Sequence, residues 1–567
     1  GTGHGASPGP SIGPGKGPSP RFSLLIASVL LLLISASVII YPSFQWAERP
    51  PGSRPNLVYR GETHKFPVVV ENSEAYVPLK FIQSKLDPDV FWDEAGLMVV
   101  TTKDKVVKLS KDSLTAYVNQ HQVSLQFPVI LEGKQPYVPA STLETLYPVS
   151  TACNEEAGTF LVRRLDTPNK MGKLNTDSIL RVGASFLSKR IELLSVGDRV
   201  VIYGEAGRWL KVETSGGFCG FVSKKHVTDM GEEPPVVEEP PAYVPSPLQG
   251  NKVVLAWEQV DRITPDPSNF VDMPGLNVLS PTWFHLAATP GELENRADMR
   301  YVNWAHSKGY QVWGLFSNSF DPERTSVVLR DSDLRDQVIS QLLIYAKIYK
   351  LDGINIDFEN VNLADGPYLT QFVREMTPLL HGQGLTVSID ITVKSTSPNW
   401  SMFLEREKLS QVVDYVMLMA YDQYPHGSKV SGPVSTIPWA EWTIKKTLEE
   451  VPRDKLVLGV PFYTRLWKET PDNGGVKVSA RALGMEGIAA WLRDENVTPK
   501  YQPDTGLLYA EKKIGNETYR VWLEDTGSMK KRVELANGYG LAGIAAWRRG
   551  FETEDIWEAI DATLRTD

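Results

Sequence analysis

Cysteine is nearly absent: Cys153 and Cys219 are the only two in 567 residues. They fall in regions that read as separate domains, which excludes a disulfide-stapled scaffold and a thiolate metal cluster. Histidine is scarce too. None of the eight stands in an H-x-x-x-H or H-E-x-x-H spacing, which argues against a zinc hydrolase. Basic residues are outnumbered, and the net charge of −9 argues against nucleic acid as a partner. No P-loop pattern occurs. GPSIG (Gly9 to Gly13) matches a G-x-S-x-G nucleophile pattern but lies in a Gly/Pro/Ser-rich tail with no strand before it. GYGLAG (Gly538 to Gly543) matches G-x-G-x-x-G but follows a helical pattern and precedes a strand, the reverse of a dinucleotide site.

What is present divides into roughly three or four units, as the length requires. Residues 1–21 are low in complexity and read as a disordered tail. FSLLIASVLLLLISASVIIY, Phe22 to Tyr41, is an uncharged apolar run long enough to span a bilayer. Lys16 and Arg21 precede it and favour an inside N-terminus. The run is long for a signal-peptide core and no A-x-A site follows, so it reads as an uncleaved single-pass anchor at the cell membrane. A cleaved signal, and hence secretion, is the alternative; either reading places the rest of the chain outside the cytoplasm.

An internal echo follows over residues 57–165. AYVPLKF (Ala75 to Phe81) precedes FWDEAGLMVV, and PYVPAST (Pro136 to Thr142) precedes NEEAGTFLV, which predicts a duplicated α+β unit. The pattern resembles the domain named after the copper amine oxidase N-terminus; without a histidine cluster the resemblance implies a spacer or binding module rather than copper. Residues 173–229 alternate apolar and polar in short runs (IELLSVGDRVVIYG, RWLKVE, GFCGFVSKKHV), which predicts a small β-barrel. These pieces resemble bacterial Src-homology-3 (SH3)-type domains, with Trp209 either a ligand platform or a core aromatic. Residues 230–250, with their EEPP repeats, read as a stiff acidic linker.

From Asn251 to the C-terminus, β-like runs alternate with amphipathic helical stretches such as DSDLRDQVISQLLIYAKIYK. The strands are KVVLAW, LNVLSPTWF, YQVWGLFS, LDGINIDFE, LTVSIDIT, VDYVMLMAYD, KLVLGVPFY and LAGIAAWR, a pattern that predicts a (β/α)₈ TIM barrel over 251–567. The gap before the last strand leaves room for a small α+β insertion around Val476 to Arg520. In LDGINIDFE, Asn355, Asp357 and Glu359 share one face and Ile354, Ile356 and Phe358 the other. A strand of a closed barrel has no solvent edge, so the polar set points into the lumen and climbs toward the C-terminal mouth, where barrel active sites sit.

D-G-x-x-x-D-x-E at Asp352, Gly353, Asp357 and Glu359 resembles the signature of family 18 glycoside hydrolases, with Asn355 where members usually carry another Asp. Met419, Tyr421 and Asp422 form the M-x-Y-D of the sixth strand, and Trp547 ends the eighth. Asp357 and Glu359 lie roughly 7 Å apart by strand rise and cannot flank a sugar as a nucleophile–acid pair. The resemblance implies that the substrate's own 2-acetamido group attacks instead. It assigns Glu359 as general acid, Asp357 as the partner of the acetamido N–H, Tyr421 and Asp422 as holders of the acetamido group, and Met419 and Trp547 as the subsite floor. Asn355, Trp283, Tyr463 and Arg465 are further candidates for lining the substrate site. No metal and no cofactor is implied. The expected substrate is an N-acetylglucosamine polysaccharide, peptidoglycan first, given the anchor, the wall-binding-type module and a likeness of LDGINIDFENV and LGVPFYTRLW to the spore and cell-wall branch. Chitinase is the first alternative. A non-catalytic family 18 lectin and a surface interaction platform are readings from other classes. The chain is expected to be monomeric.

Overall fold

The computed structural model describes residues 54–154, 158–237, 241–248 and 250–565. The tail and the apolar run at 22–41 lie outside them; among the described residues no helix is long and apolar enough to cross a membrane. The chain forms two units, one made chiefly of residues up to 239 and one chiefly of residues from 240 onward.

In the first unit the sequence echo has a physical basis. The strand Glu74–Pro78 carries the first YVP and Gln135–Pro139 the second; the two lie antiparallel with Val77 opposite Val138. Each runs directly into a short helix, Leu79–Phe81 and Ala140–Leu146. The duplicated motifs are therefore partners across a local pseudo-twofold, with Val77 and Val138 both fully buried. Further along, a seven-stranded antiparallel sheet spans Asn169–Leu174 to Val227–Glu233 and closes over a core of Leu174, Leu180, Val200, Leu210, Val212 and Val222. Its last strand pairs through Glu233, so the β domain overruns the start expected for the linker. Trp209 is buried beneath Phe186, with ring centroids 4.7 Å apart, and serves as a core aromatic.

The second unit is a closed barrel. Its strands are β1 (Val253–Glu258), β2 (Val278–Leu286), β3 (Gln311–Ser317), β4 (Gly353–Asp357), β5 (Thr386–Thr392), β6 (Tyr415–Met419), β7 (Leu456–Pro461) and β8 (Gly543–Trp547). All neighbours run parallel, and β8 pairs with β1 to close the circle. Period-two alternation sorts the strand residues into two apolar clusters. Val254, Ile354, Ile356, Ile389, Leu418 and Ile544 face the helices. Val253, Leu255, Trp313, Met417, Val457 and Ala545 fill the lower lumen. The helix predicted before β4 forms over Ser332–Tyr349, capped by the Asp331 carboxylate and ended by Lys350 in a left-handed conformation.

The end of the expected linker belongs to this unit. Tyr243 stacks on His381 at 3.8 Å between centroids, and Leu248 packs on the lumen cluster. The insertion is larger than its sequence pattern implied. A five-stranded antiparallel sheet and one helix run from Tyr463 to Leu523, starting two residues after β7. Tyr463 and Arg465 therefore stand on its first strand, against the barrel mouth.

The N-terminal end of the barrel is tied by a repeated device. Asp352, just before β4, accepts from the Val312 N–H (2.8 Å) and from His306 (2.8 Å). Asp414, just before β6, accepts likewise from the Val387 N–H (2.8 Å) and His381 (2.9 Å). Each carboxylate satisfies a strand-start donor that no other strand reaches. Asp414→Ala should therefore lower unfolding stability by about 1–3 kcal/mol. Asp352→Ala should cost less, since that side chain is 30% exposed and water can replace it. Urea titration followed by tryptophan fluorescence checks the order.

Candidate active site

Strand β4 is fitted into the barrel by a glycine. A Cβ on Gly353 would lie 2.6 Å from the Thr386 carbonyl oxygen and 2.8 Å from the Trp313 ring, so no other residue lets β4 sit between β3 and β5 at this height. Two residues on, Asn355 is 0% exposed. Its Oδ1 accepts from Trp257 Nε1 (2.9 Å) on β1 and Ser280 Oγ (3.1 Å) on β2. Its Nδ2 donates to Ser388 Oγ (3.0 Å) and Asp390 Oδ1 (2.7 Å), both on β5. Asn355 was expected to line the substrate site; it is instead the sealed hub of the lumen, its donors and acceptor committed to neighbouring strands. Trp257, from the same parity of β1, is buried with it.

Asp357 and Glu359 stand above the hub at the C-terminal mouth. Asp357 Oδ1 is buried with no hydrogen-bond partner, and burial pushes its carboxyl up to about 7. Glu359 lies two residues past the strand end, on backbone that no ladder holds. Asn318, 0% exposed at the end of β3, takes over: its Oδ1 accepts from Glu359 N (3.1 Å), and its Nδ2 donates to the Glu359 carbonyl (2.7 Å) and to Thr325 Oγ1 (2.9 Å). Burial first, then the Asp357 and Asp422 charges, hold the Glu359 carboxyl well above the ordinary range.

Two groups here escaped the sequence reading. Asn318 follows the YQVWGLFS run and carries no motif. Asp390 sits within LTVSIDIT, where Ser388 and Asp390 share the inward parity of β5; that alternation was the available signal. The Asn355 substitution thus does not leave the column a carboxyl short, because Asp390 supplies one from the next strand. The Asp390 carboxyl is also raised well above normal, by burial and then by Asp357, with the Asn355 amide pulling the other way.

Two strands round the barrel from β4, Tyr421 and Asp422 follow β6, and Asp422 holds a left-handed φ of 62°. Arg465 Nη1 reaches Asp422 Oδ1 at 2.8 Å, and the Tyr463 hydroxyl donates to the same oxygen. Tyr463 and Arg465 are both nearly buried, so they fix Asp422 rather than offer a free surface to a sugar. Tyr421 is half-buried, edge-on to Tyr463, and its hydroxyl is held un-ionised by burial first and then by the negative groups around it, Asp390, Asp357 and Glu359 among them. Met419 ends β6 half-buried. Trp547 ends β8 half-buried, 6.1 Å from Trp257 over the lumen cluster. Trp283 is a correction. It is 0% exposed in the outer layer, its indole donating to Thr264 Oγ1 at 2.9 Å. The strand register shifts between Thr282 and Phe284, and both Trp283 and Phe284 pack into the outer layer.

Removing the Asn318 clamp should loosen the Glu359 backbone without unfolding the barrel. In Asn318→Ala, hydrogen exchange of the peptide spanning residues 355–360 should accelerate about 10-fold or more. Exchange unchanged from the wild type would show that other contacts hold Glu359.

Residues 295–552 match the family described as Glycosyl hydrolases family 18, and residues 59–162 match the Copper amine oxidase N-terminal domain. The chain is 23% identical over 282 residues to the uncharacterized glycosylase YvbX of Bacillus subtilis, covering 48% of this chain and 80% of that protein. It is 29% identical over 241 residues to the putative sporulation-specific glycosylase YdhD of the same organism, covering 42% of this chain and 56% of that one. To the Bacillus subtilis cortical fragment-lytic enzyme it is 25% identical over 250 residues, covering 43% and 57%. It thus spans little more than half the length of the last two. The stretch that matches the family 18 glycosyl hydrolase model carries Asp357, Glu359, Tyr421 and Asp422.

Proposed function

We propose that the chain is a retaining glycoside hydrolase that cleaves β-1,4 linkages of N-acetylglucosamine-containing glycans, peptidoglycan foremost. The observation that carries the reading is the placement of two raised carboxyls, Asp357 and Glu359, together on β4 and its extension, while Asp422 after β6 is tied up by Arg465 and Tyr463. No carboxylate is thereby left to attack the anomeric carbon from across the sugar, and the acetamido group of the substrate takes that part.

In this mechanism protonated Glu359 donates to the glycosidic oxygen as the bond breaks. The acetamido carbonyl oxygen attacks the anomeric carbon, guided by the Tyr421 hydroxyl, and an oxazolinium ion forms. Asp357, as the anion, accepts the acetamido N–H and offsets the positive charge. Glu359 then takes a proton from water, which opens the ring with net retention. Trp547, above the lumen cluster, gives the distorted sugar an apolar floor, with Met419 beside it.

Peptidoglycan is preferred to chitin because of what lies upstream. The β domain of residues 169–233 fits an SH3-type wall-binding module, and the apolar run at 22–41 fits a single-pass anchor that holds a monomeric enzyme outside the cytoplasm. The names of two relatives, a sporulation-specific glycosylase and a cortical fragment-lytic enzyme, point the same way. Cell fractionation checks the anchor: the full chain should sediment with membranes and resist high-salt extraction, whereas recovery in the soluble fraction would favour the cleaved signal.

Reducing-end release from purified peptidoglycan and from chitin oligomers tests the activity. Glu359→Gln should lose roughly 10²–10⁴-fold in rate while still sedimenting with the glycan. Cleavage of chitin alone would keep the chemistry and change the substrate; binding without cleavage by either protein would make the barrel a lectin. The pH dependence is also set. With Asp357 pushed up to about 7 and Glu359 held well above the ordinary carboxylate range, kcat/KM should rise as Asp357 ionises and fall at higher pH as Glu359 loses its proton. A flat profile from pH 5 to 9 would contradict these roles.

A further inference from the structure

Asp390 is a buried ionisable group that the mechanism above does not use. It is 3% exposed, in the upper lumen of β5. Strands β4 and β5 run parallel with Asn355 beside Ser388 and Ile356 beside Ile389, so the next rung sets Asp357 beside Asp390. Adjacent strands lie about 4.8 Å apart, and both side chains point inward. Two carboxyls so placed cannot both ionise; one proton is shared between them. Their surroundings decide which keeps it. The Asn355 amide donates to Asp390 Oδ1 at 2.7 Å and favours its anion, but Asp390 is the more deeply buried of the two, 3% exposed against a half-buried Asp357, so the proton stays on its second oxygen. Asp357 Oδ1 is buried without a partner and is open to accept that proton as a hydrogen bond. The other groups facing the pair are Glu359 beyond β4, Tyr421 and Asp422 beyond β6, Trp257 from β1, and Ser317 beside Asp357 on β3, whose hydroxyl accepts from Ser319 N at 3.1 Å. None of them is a cation.

Resting on the glycosidase reading, we propose that Asp390 is a positioning residue: it holds the proton of an Asp357–Asp390 pair and donates it as a hydrogen bond to Asp357 Oδ1, which keeps Asp357 anionic for the acetamido group. Asn355 is then the spacer that fixes Asp390 in place. An aspartate at 355 would instead set one more carboxyl against Asp390, whereas the amide is a donor that never ionises. The two raised carboxyls behave accordingly: Asp390 stands well above its ordinary range partly because Asp357 carries the charge beside it.

Two variants of the full chain separate this from a packing role. Asp390→Asn keeps a donor toward Asp357 and an acceptor for Asn355, so its kcat/KM profile should keep the wild-type acid limb. Asp390→Ala removes the donor that stabilises the Asp357 anion, so its acid limb should move to higher pH by about one unit or more. A uniform loss of rate in the alanine variant with no movement of that limb would overturn the proposal. A second readout does not depend on activity. The infrared carbonyl band of protonated buried carboxyl groups at pH 7 should shrink in Asp390→Asn as one such group is removed. An undiminished band would show that Asp390 is ionised and overturn the proposal, even if the alanine variant fails to fold. If no N-acetylglucosamine glycan is cut by the wild type, the function fails by itself, and the infrared comparison still decides the role of Asp390.

Discussion

Closure of the eight-stranded sheet is the constraint on which the rest depends. A closed parallel sheet has no edge, so each strand residue faces either the helix layer or a lumen too narrow for bulk water. Apolar side chains such as Leu255, Trp313 and Val457 solve the problem in the lower lumen by packing. The upper lumen is polar, and polar groups there must satisfy one another or pay several kcal/mol each. Asn355 does this for strands β1, β2 and β5 at once. It is the boundary between the packed floor and the ionisable mouth.

Above that boundary, hydrogen bonding becomes incomplete on one side only. Asp422 is held by an arginine and a tyrosine, whereas Asp357 leaves an oxygen without a partner and Glu359 depends on Asn318 for its backbone bonds. Structure alone would be better served by the reverse, since an unpaired buried carboxyl destabilises the fold. Such an arrangement persists where proton transfer needs carboxyls with raised proton affinity. The lobe that starts at Tyr463 matters for the same reason: its first strand brings in the cation and the phenol that fix Asp422.

The first unit is built on other rules. Its repeated YVP strands find each other across a pseudo-twofold, and its seven-stranded sheet encloses a small aliphatic core with Trp209 buried beneath Phe186.

Alternation and motif order were legible in the sequence because they depend on local periodicity. Strict period two put Asn355, Asp357 and Glu359 on one face, and alternation of strand and helix runs identified the barrel; Gly353, Met419, Tyr421 and Asp422 then fell into place. What failed had tertiary causes. Trp283 reads as a cleft aromatic in the sequence, but a register shift in β2 turns both it and Phe284 to the helices, and no local pattern signals that shift. That Asn355 is sealed rather than open to substrate is invisible in the sequence, because Trp257, Ser280, Ser388 and Asp390 converge on its amide from three other parts of the chain. The alternation of Ser388 and Asp390 was readable but had no meaning until β5 lay beside β4 in register. Local sequence thus determined which side chains point inward; only closure of the barrel decided which of them meet, because hydrogen bonds and shared protons depend on distances between strands that the chain order does not contain.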